Sequence, residues 1–289
     1  MESVNFVAGI VTYNPNLNIL KQNISAVSKQ VSKLYIVDNH SSNINSIKDV
    51  VADYDKVELI VRNDNEGIAK ALNILCRKGY SIGASWILTL DQDTIIPSNL
   101  IEEYSMYISY PDVGLIGCHI VDRNIEGQLL SVSENDYPRT IITSGSFTNL
   151  SVWNKIDGFC EKLFIDGVDH EYCFKLRLYG FKILRIANVN INHAVGKSKL
   201  VNFRSQKMQL YGESPLRYYY MHRNNMYLLR EYRNFFLEPY KYGIISYIYS
   251  TLVYIYLMLK YEDSGLLKLR MIIKGYIHGI MNRYGKYER

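Results

Sequence analysis

The sequence lacks the glycine-rich loops with which many enzymes hold phosphate groups. Neither G-x-G-x-x-G nor G-x-x-x-x-G-K-[S/T] occurs in its 289 residues, and these loops mark dinucleotide-binding dehydrogenases and P-loop enzymes. The sequence therefore argues against both classes. A nucleotide bound by this chain would have its phosphates held by other groups, such as carboxylates with a divalent cation.

Cysteine is sparse, and charge of either sign is nearly balanced. The four cysteines form no C-x-x-C pair, which favours buried free thiols in a reducing compartment. The net charge of +5, from 33 basic and 28 acidic residues, does not indicate nucleic acid binding and suits an anionic small molecule or a membrane surface. The first residues lack a basic segment followed by an apolar one, so no signal peptide is predicted.

Strands and helices alternate through the first third of the chain. Apolar runs predict strands at 5–12, 34–37, 57–61 and 86–90. Helical spacing predicts helices at 17–30, 42–54 and 68–78. This alternation predicts an α/β fold with a mostly parallel sheet flanked by helices. Ligands of such sheets bind beyond the carboxyl ends of the strands, where polar loops follow at 12–16, 38–42, 63–67 and 91–94.

One of these apolar strands ends abruptly in two carboxylates. Residues 86–90 lead directly into Asp91-Gln92-Asp93. Residues i and i+2 of an extended segment point the same way, and carboxylates so close repel each other unless a cation lies between them. Oxygen ligands suit Mg²⁺ and Mn²⁺. The pair predicts a divalent cation with an attached diphosphate, and an acidic turn without a ligand is the alternative.

A second acidic cluster lies at the predicted start of a helix over 172–179. It holds three carboxylates, Asp166, Asp169 and Glu171. Acidic side chains at a helix start interact favourably with the helix dipole. That interaction accounts for one or two of the three carboxylates, so the cluster is also a candidate for chemistry.

Together these segments resemble the inverting glycosyltransferases of family 2, which have the GT-A fold. The resemblance covers about residues 5–235, and within the family "GIVTYNP" and "LTLDQDT" are most similar to bacterial polysaccharide rhamnosyltransferases. The matching segments are Thr12-Tyr13-Asn14-Pro15, Val37-Asp38-Asn39, 65–73 and Leu88-Thr89-Leu90-Asp91-Gln92-Asp93.

The resemblance implies roles for the residues of the donor pocket. Asp38 would hold the pyrimidine base of a nucleotide-sugar donor through its N3–H. Asp93, with Asp91, would bind the Mn²⁺ or Mg²⁺ ion or the donor's ribose. The remaining donor contacts would come from Thr12, Tyr13, Asn14, Asn65 and Gly67.

The resemblance also assigns the reacting groups. It places the general base on Asp169, with Asp166 and Glu171 as alternatives. Inversion is a single displacement in which a carboxylate takes the proton of the attacking hydroxyl. His193 would lie near the metal or diphosphate, unless it is a structural histidine at a strand end. Arg223 could reach the donor phosphates, and a solvated basic face is its alternative.

The chain divides by this interpretation into a catalytic domain, 1–212, and a helical region, 213–289. The donor-binding half is about 1–97 and the acceptor-side half about 98–212. Residues 243–259 are uncharged and rich in tyrosine, but shorter than the roughly 20 residues of a spanning helix. They predict an interfacial or core helix, and the basic residues that follow predict attraction to anionic lipid. A homodimer contact is the main alternative.

The resemblance, together with these observations, implies a cation-dependent transferase on the cytoplasmic face of the cell membrane. It would move L-rhamnose from a dTDP donor to a lipid-linked or polysaccharide acceptor in capsule, O-antigen or wall synthesis. Transfer of galactose, glucose or galactofuranose from a UDP donor is an alternative. A nucleotidyltransferase would have a glycine-rich basic loop where Thr12–Pro15 lie, and a non-catalytic sugar-binding module would not need Asp93 and Asp169.

Overall fold

The computed structural model describes residues 6–122, 134–193, 199–204 and 206–288. They belong to two compact units. The first comprises Met1–Glu161 and Val168–Ala194, and the second comprises Lys162–Gly167 and Val195–Arg289. This division by contacts falls near residue 194, whereas the functional boundary expected at 212 stays a prediction.

The first unit is built on a mixed β-sheet with helices beside it. Its strands are β1 (Phe6–Thr12), β2 (Lys33–Asp38), β3 (Val57–Val61), β4 (Trp86–Asp91), β5 (Val113–Asp122), β6 (Ser146–Asn149) and β7 (Lys182–His193). Its helices are α1 (Leu17–Ser28), α2 (Ile44–Ala52), α3 (Ile68–Ser81), α4 (Leu100–Ser105), α5 (Leu150–Lys155) and α6 (Val168–Leu178).

The sheet has the order β3-β2-β1-β4-β6-β5-β7. Strand β6 pairs antiparallel with β4 and β5, and the other pairs are parallel. The mostly parallel α/β sheet expected from the sequence is confirmed. Its register pairs Thr12 with Asp38 and Val11 with Asp91, so the polar residues that end β1, β2 and β4 share one edge.

Close packing of apolar side chains fixes this sheet. Phe147 of β6 is fully buried, and its ring stacks on Trp86 and Tyr104 at centroid distances of 5.3 and 5.8 Å. Helix α3 approaches β1 at Gly9, where a Cβ would lie 2.7 Å from Leu75. Interiors this dense tolerate little change in volume, so the strand ends are held on a rigid base.

The second unit contains a two-stranded hairpin and helices. The hairpin joins β8 (Lys199–Phe203) to β9 (Gln206–Leu210). The helices are α7 (Pro215–Glu231), α8 (Arg233–Leu237), α9 (Ile244–Tyr261) and α10 (Gly265–Ile280). Helix α10 approaches α7 closely, since a Cβ at Gly275 would lie 2.5 Å from the Tyr219 carbonyl oxygen.

Helix α9 is long and apolar enough to cross a membrane by length and composition alone. Its mean hydropathy is 1.3, and 17% of its residues are buried. Its outward face carries Ile245, Ile248 and Leu252, each at least half exposed. Lys268 is not part of a basic surface, because it is buried and forms an ion pair with Glu262 at 2.7 Å.

A buried amide connects α3 to the turn before residue 161. Asn73 Nδ2 donates to the Phe159 carbonyl at 2.9 Å and to the Glu161 carboxylate at 3.0 Å. Its Oδ1 accepts from the Trp153 indole at 3.1 Å and from the Phe159 amide at 2.9 Å. These four bonds give Asn73 a structural role.

We expect Asn73→Ala to lower the free energy of unfolding by about 2–3 kcal/mol, because it leaves buried donors unpaired. The matched control is Asn154→Ala, also in a helix but exposed, which should change stability by less than about 0.5 kcal/mol. Urea denaturation of each variant measures the difference. Equal stability of the two variants would contradict the role given to Asn73.

Candidate active site

A buried carboxylate joins the loops that follow β1 and β2. Asp38 is fully buried. Its Oδ1 accepts from the hydroxyls of Thr12 at 2.9 Å and Ser41 at 2.5 Å, and its Oδ2 accepts from the Ser41 amide at 2.8 Å. The structure therefore gives Asp38 a structural role, and its contact with a pyrimidine base stays a prediction.

The loop after β1 is fixed through its backbone. Asn14 has a left-handed φ of 49°, its amide donates to Ser41 Oγ at 2.8 Å, and its Oδ1 accepts from Ser42 at 2.8 Å. The amide of Tyr13 donates to Gln92 Oε1 at 2.8 Å. The Tyr13 ring is half exposed, so it projects from a rigid backbone at the edge of the sheet.

The third loop ends at Gly67, whose φ of 88° favours glycine. Its amide donates to Asn65 Oδ1 at 3.0 Å, and its carbonyl accepts from Asn39 Nδ2 at 3.1 Å. Three loops were expected to form one donor pocket, and hydrogen bonds thus join them. They are the loops that contain Thr12–Asn14, Asp38, and Asn65 with Gly67.

The carboxylate loop after β4 is held by residues distant in sequence. The Asp91 amide donates to Ser144 Oγ at 2.9 Å, and the Asp91 carbonyl accepts from Asn23 Nδ2 at 2.9 Å. The extended geometry expected for residues 91–93 does not continue past Asp91, because the Thr94 amide closes a turn on the Asp91 carbonyl at 3.3 Å. Both Asp91 and Asp93 are partly exposed in this turn.

The donor set of this turn is compatible with a divalent cation. Among the described residues no group of three or more His, Cys, Asp and Glu side chains is placed to hold a metal ion. Mg²⁺ commonly takes only one or two protein carboxylates and completes its shell with substrate phosphates and water. Asp91 and Asp93 could supply such carboxylates. The backbone of His193 ends β7 opposite Asp122, and its side chain lies outside the described part of the chain.

Asp169 lies in the first turn of α6 and contacts the next residue. Its Oδ1 accepts from the His170 amide at 2.8 Å and lies 3.0 Å from His170 Nδ1. Burial opposes ionisation, but the charge and hydrogen bonds of His170 outweigh it and lower the pKa of Asp169. The charge of Asp169 in turn raises the pKa of His170. The carboxylate is therefore ionised at neutral pH.

The other two carboxylates of the acidic cluster are more deeply buried. Asp166, in the second unit, is 9% exposed and accepts two-pronged hydrogen bonds from Arg217 at 2.5–2.9 Å. Glu171, in the first unit, is 1% exposed and lies 3.3 Å from Lys175. Asp169 is 24% exposed, so it is the most accessible of the three to an acceptor hydroxyl.

The segment 141–146 connects α6 to the carboxylate loop. Cys173, one turn after Asp169, contacts the backbone of Ile141 at 3.5 and 3.6 Å. Further along, Ser144 contacts Asp91 as above and shares a 2.7 Å hydrogen bond with the Thr94 hydroxyl. The sequence did not identify Ser144 or Asn23 as site residues. The available signal for Ser144 was its place in a run of small residues, and the signal for Asn23 was a polar residue on an apolar helix face.

A model of glycosyl transferase family 2 matches residues 8–204. The chain belongs to this family. The dTDP-rhamnosyl transferase RfbF of Shigella flexneri is 33% identical to it over 265 residues, which are 86% of this chain and 88% of that protein. This glycosyltransferase is thus similar to a rhamnosyltransferase, as its motifs indicated.

Solved structures show the same fold at low sequence identity. S. aureus TarS 1–349 in complex with UDP-GlcNAc aligns with 96% of this glycosyltransferase and 81% of its own chain, at a TM-score of 0.59 and 13% identity. GalNAc-T7 with UDP, GalNAc and Mn²⁺ aligns with 66% of this glycosyltransferase at a TM-score of 0.56 and 14% identity. This glycosyltransferase spans 43% of that second chain. The expected GT-A fold is confirmed.

The environment of Arg223 in the glycosyltransferase is not the solvated basic face that was one of the two alternatives expected from the sequence, the other being a phosphate site. It is 1% exposed, within the second unit. Its guanidinium donates to the carbonyls of Leu163 at 2.8 Å and Gly285 at 2.6 Å and to Asn224 Oδ1 at 2.9 Å. It is therefore not on a solvated face, and these hydrogen bonds give it a structural role, so its contact with the donor phosphates stays a prediction.

Proposed function

We propose that this glycosyltransferase transfers L-rhamnose from dTDP-L-rhamnose, with inversion, to a lipid-linked or polysaccharide acceptor of cell-surface glycan synthesis. The observation that carries the proposal is the ionised, accessible Asp169 beside His170, connected through residues 141–146 to the carboxylate loop. The donor sugar follows from the 33% identity to a dTDP-rhamnosyl transferase.

The nucleotide occupies the joined loops at the carboxyl edge of the sheet in this proposal. The fixed backbone around Asn14 and Gly67 gives the donor a prearranged surface. The half-exposed Tyr13 ring offers a face for stacking of the pyrimidine base, since aromatic rings stack favourably with one another. Asn65 completes this surface, and the buried Thr12–Asp38 hydrogen bond supports it from beneath.

Asp91 and Asp93 would hold Mn²⁺ or Mg²⁺ in this proposal. The cation, when bound, stabilises the negative charge that develops on the departing nucleoside diphosphate. The protein's own part is to present both carboxylates in a turn whose backbone Ser144, Asn23 and Thr94 hold in place.

Asp169 acts as the general base. The acceptor hydroxyl oxygen forms a bond to the anomeric carbon while the bond from that carbon to the diphosphate oxygen breaks. The electron pair of the broken bond leaves with the nucleoside diphosphate, and the hydroxyl proton passes to the Asp169 carboxylate. His170 keeps that carboxylate ionised and oriented through its two contacts.

The donor assignment is tested with a set of nucleotide sugars. Because the 33% identical relative is a dTDP-rhamnosyl transferase, we expect dTDP-L-rhamnose to turn over or hydrolyse faster than UDP-galactose, UDP-glucose or UDP-galactofuranose. Faster turnover of a UDP-sugar would refute the dTDP-rhamnose donor.

The cation is tested by its removal. Turnover should stop in EDTA, return with Mn²⁺ or Mg²⁺, and be lost in Asp93→Ala with an unchanged melting curve. Full activity in EDTA would refute the role of the cation.

The base assignment is tested by three matched carboxamide variants. Asp169→Asn keeps the shape and removes the basicity, so kcat should fall about 10²–10⁴-fold while the Kd for donor stays unchanged. Asp166→Asn and Glu171→Gln remove buried ion pairs, so they should lower stability and leave kcat per folded molecule near the parent value. If Asp169→Asn had a normal kcat and one of the control variants were inactive, the general base would be the residue changed in that control.

We also propose that the enzyme binds the inner face of the cell membrane through α9. The supporting observation is its outward face of half-exposed apolar side chains, with exposed Arg270 and Arg283 in the same unit. Apolar area and cationic side chains together favour binding to anionic bilayers. A homodimer through the same face is the alternative.

We expect Ile248→Ser with Leu252→Ser to reduce cosedimentation with phosphatidylglycerol-containing vesicles, because two side chains that would enter the bilayer are lost. Substitution is preferable to removal of the helices, since α10 packs against α7. The matched control, Leu178→Ser, changes an equally exposed apolar residue of the first unit. Unchanged vesicle binding, with a change of sedimentation coefficient, would favour the homodimer.

A further inference from the structure

A cavity of about 340 Å³ lies in the first unit between the end of β5 and residues 140–145. Small-molecule pockets usually have volumes of about 300–1,000 Å³, so this cavity suits a single ring. Its lining comprises residues 117–120 of β5, residues 140–142, 144 and 145, and Arg185 of β7.

His119 is one of the residues that line this cavity, and it carries a buried polar atom with no hydrogen-bond partner in the described part of the chain. The side chain is 9% exposed, and its Nε2 is buried without a partner. Burial, and then the charge of Arg185, lower the pKa of His119, so the ring is neutral at physiological pH. A neutral imidazole can donate or accept a hydrogen bond. Buried polar atoms in folded proteins are normally paired, so a ligand hydroxyl that reached this nitrogen would satisfy it.

The charges around the cavity favour a neutral ligand. Arg185, the cation of the lining, is paired with Asp136 through Nε–Oδ1 at 2.8 Å and a second contact at 2.5 Å. This pairing lowers the pKa of Asp136 and leaves the lining without an unbalanced positive charge for a phosphate. Ile120, Ile141 and Ile142 add apolar wall. A sugar ring, with hydroxyl groups and an apolar face or methyl group, matches such a lining.

The cavity adjoins both halves of the proposed reaction centre. Ser144 lines the cavity, and its Oγ also accepts a hydrogen bond from the Asp91 amide at 2.9 Å. Ile141 lines it as well, and its backbone contacts Cys173, one turn after Asp169. A ring held here therefore contacts the segment that is hydrogen-bonded both to the carboxylate loop and to α6.

We propose that this cavity is a sugar subsite and that His119 Nε2 hydrogen-bonds a hydroxyl of the bound ring, which makes His119 a specificity-determining residue. The inference rests on the proposed glycosyl transfer and adds a residue to it. The ring is either the transferred sugar of the donor or the terminal sugar of the acceptor, since both present the same chemistry.

The test compares His119→Leu, which removes the hydrogen bond, with His119→Gln, which keeps a donor and an acceptor. Kd values are measured for dTDP, dTDP-L-rhamnose, UDP and UDP-galactose, and KM values for octyl glycosides of rhamnose, galactose and N-acetylglucosamine. The matched control is Thr148→Val, since Thr148 Oγ1 is also buried and unpartnered among the described residues but is absent from the cavity lining.

We expect His119→Leu to weaken one sugar ligand by about 10-fold, with kcat at saturation near the parent value and the free nucleotides bound as before. His119→Gln should recover most of that loss, and Thr148→Val should show none. A weaker Kd for the nucleotide sugar identifies the transferred sugar, and a higher KM for one glycoside identifies the acceptor sugar.

Unchanged Kd and KM values in a folded His119→Leu enzyme would overturn the subsite. So would a loss that Thr148→Val reproduces, because the effect would then be structural. If the parent enzyme binds only the UDP-sugar, the dTDP-rhamnose assignment fails, and the same comparison of His119 variants with UDP-galactose still decides the subsite.

Discussion

The donor side of the site depends on a carboxylate that is fully removed from water. Burying a polar group is costly unless hydrogen bonds compensate it, and the Asp38 carboxyl group obtains three of them from Thr12 and Ser41. Because Ser41 Oγ also accepts a hydrogen bond from the Asn14 amide, the loops after β1 and β2 form one rigid piece. Such preorganisation lowers the entropic cost of binding a nucleotide.

The reaction side follows a different physical rule. Asp166 and Glu171 are buried beside cations, which suits them to hold structure, whereas Asp169 keeps contact with solvent and with His170. The lowered pKa of Asp169 guarantees the ionised form but weakens the carboxylate as a base, since basicity falls with pKa. In the proposed reaction the charge that holds His170 would disappear as the hydroxyl proton reaches Asp169, so the pair would loosen.

The sequence predicted the features that depend on local pattern. Apolar runs that end in polar residues located the ends of β1, β2 and β4, whereas the general-base role that the family motifs give to Asp169 stays a prediction. The sequence did not predict Asn23 or Ser144, because their partner Asp91 lies 68 and 53 residues away. It did not predict the position of β6 between β4 and β5 either, because that strand has four residues and its register follows from packing of Phe147.

Sequence pattern is a poor guide where tertiary contacts determine the environment of a charged side chain. Arg223 follows a tyrosine pair and resembles a phosphate ligand in sequence, but backbone carbonyls and the faces of Tyr219, Tyr220 and Tyr284 surround its guanidinium. Helices can approach there because glycines replace side chains on α10. Contacts of this kind involve segments far apart in the chain, which no periodicity encodes.

The tyrosines of the second unit explain why α9 is difficult to classify from sequence. Its inward side includes Tyr247 and Tyr254, whose hydroxyls pair with Tyr276 at 3.2 Å and Tyr218 at 3.0 Å. Its outward side carries exposed Ile and Leu. A surface helix of a globular protein normally places its apolar stripe inward and its polar residues outward. The buried side of α9 also includes Leu257 and Met258, and its exposed side also includes Tyr249 and Tyr256, so apolar and aromatic polar residues occur on both sides. This mixture gives the helix no single apolar stripe that its sequence periodicity could reveal.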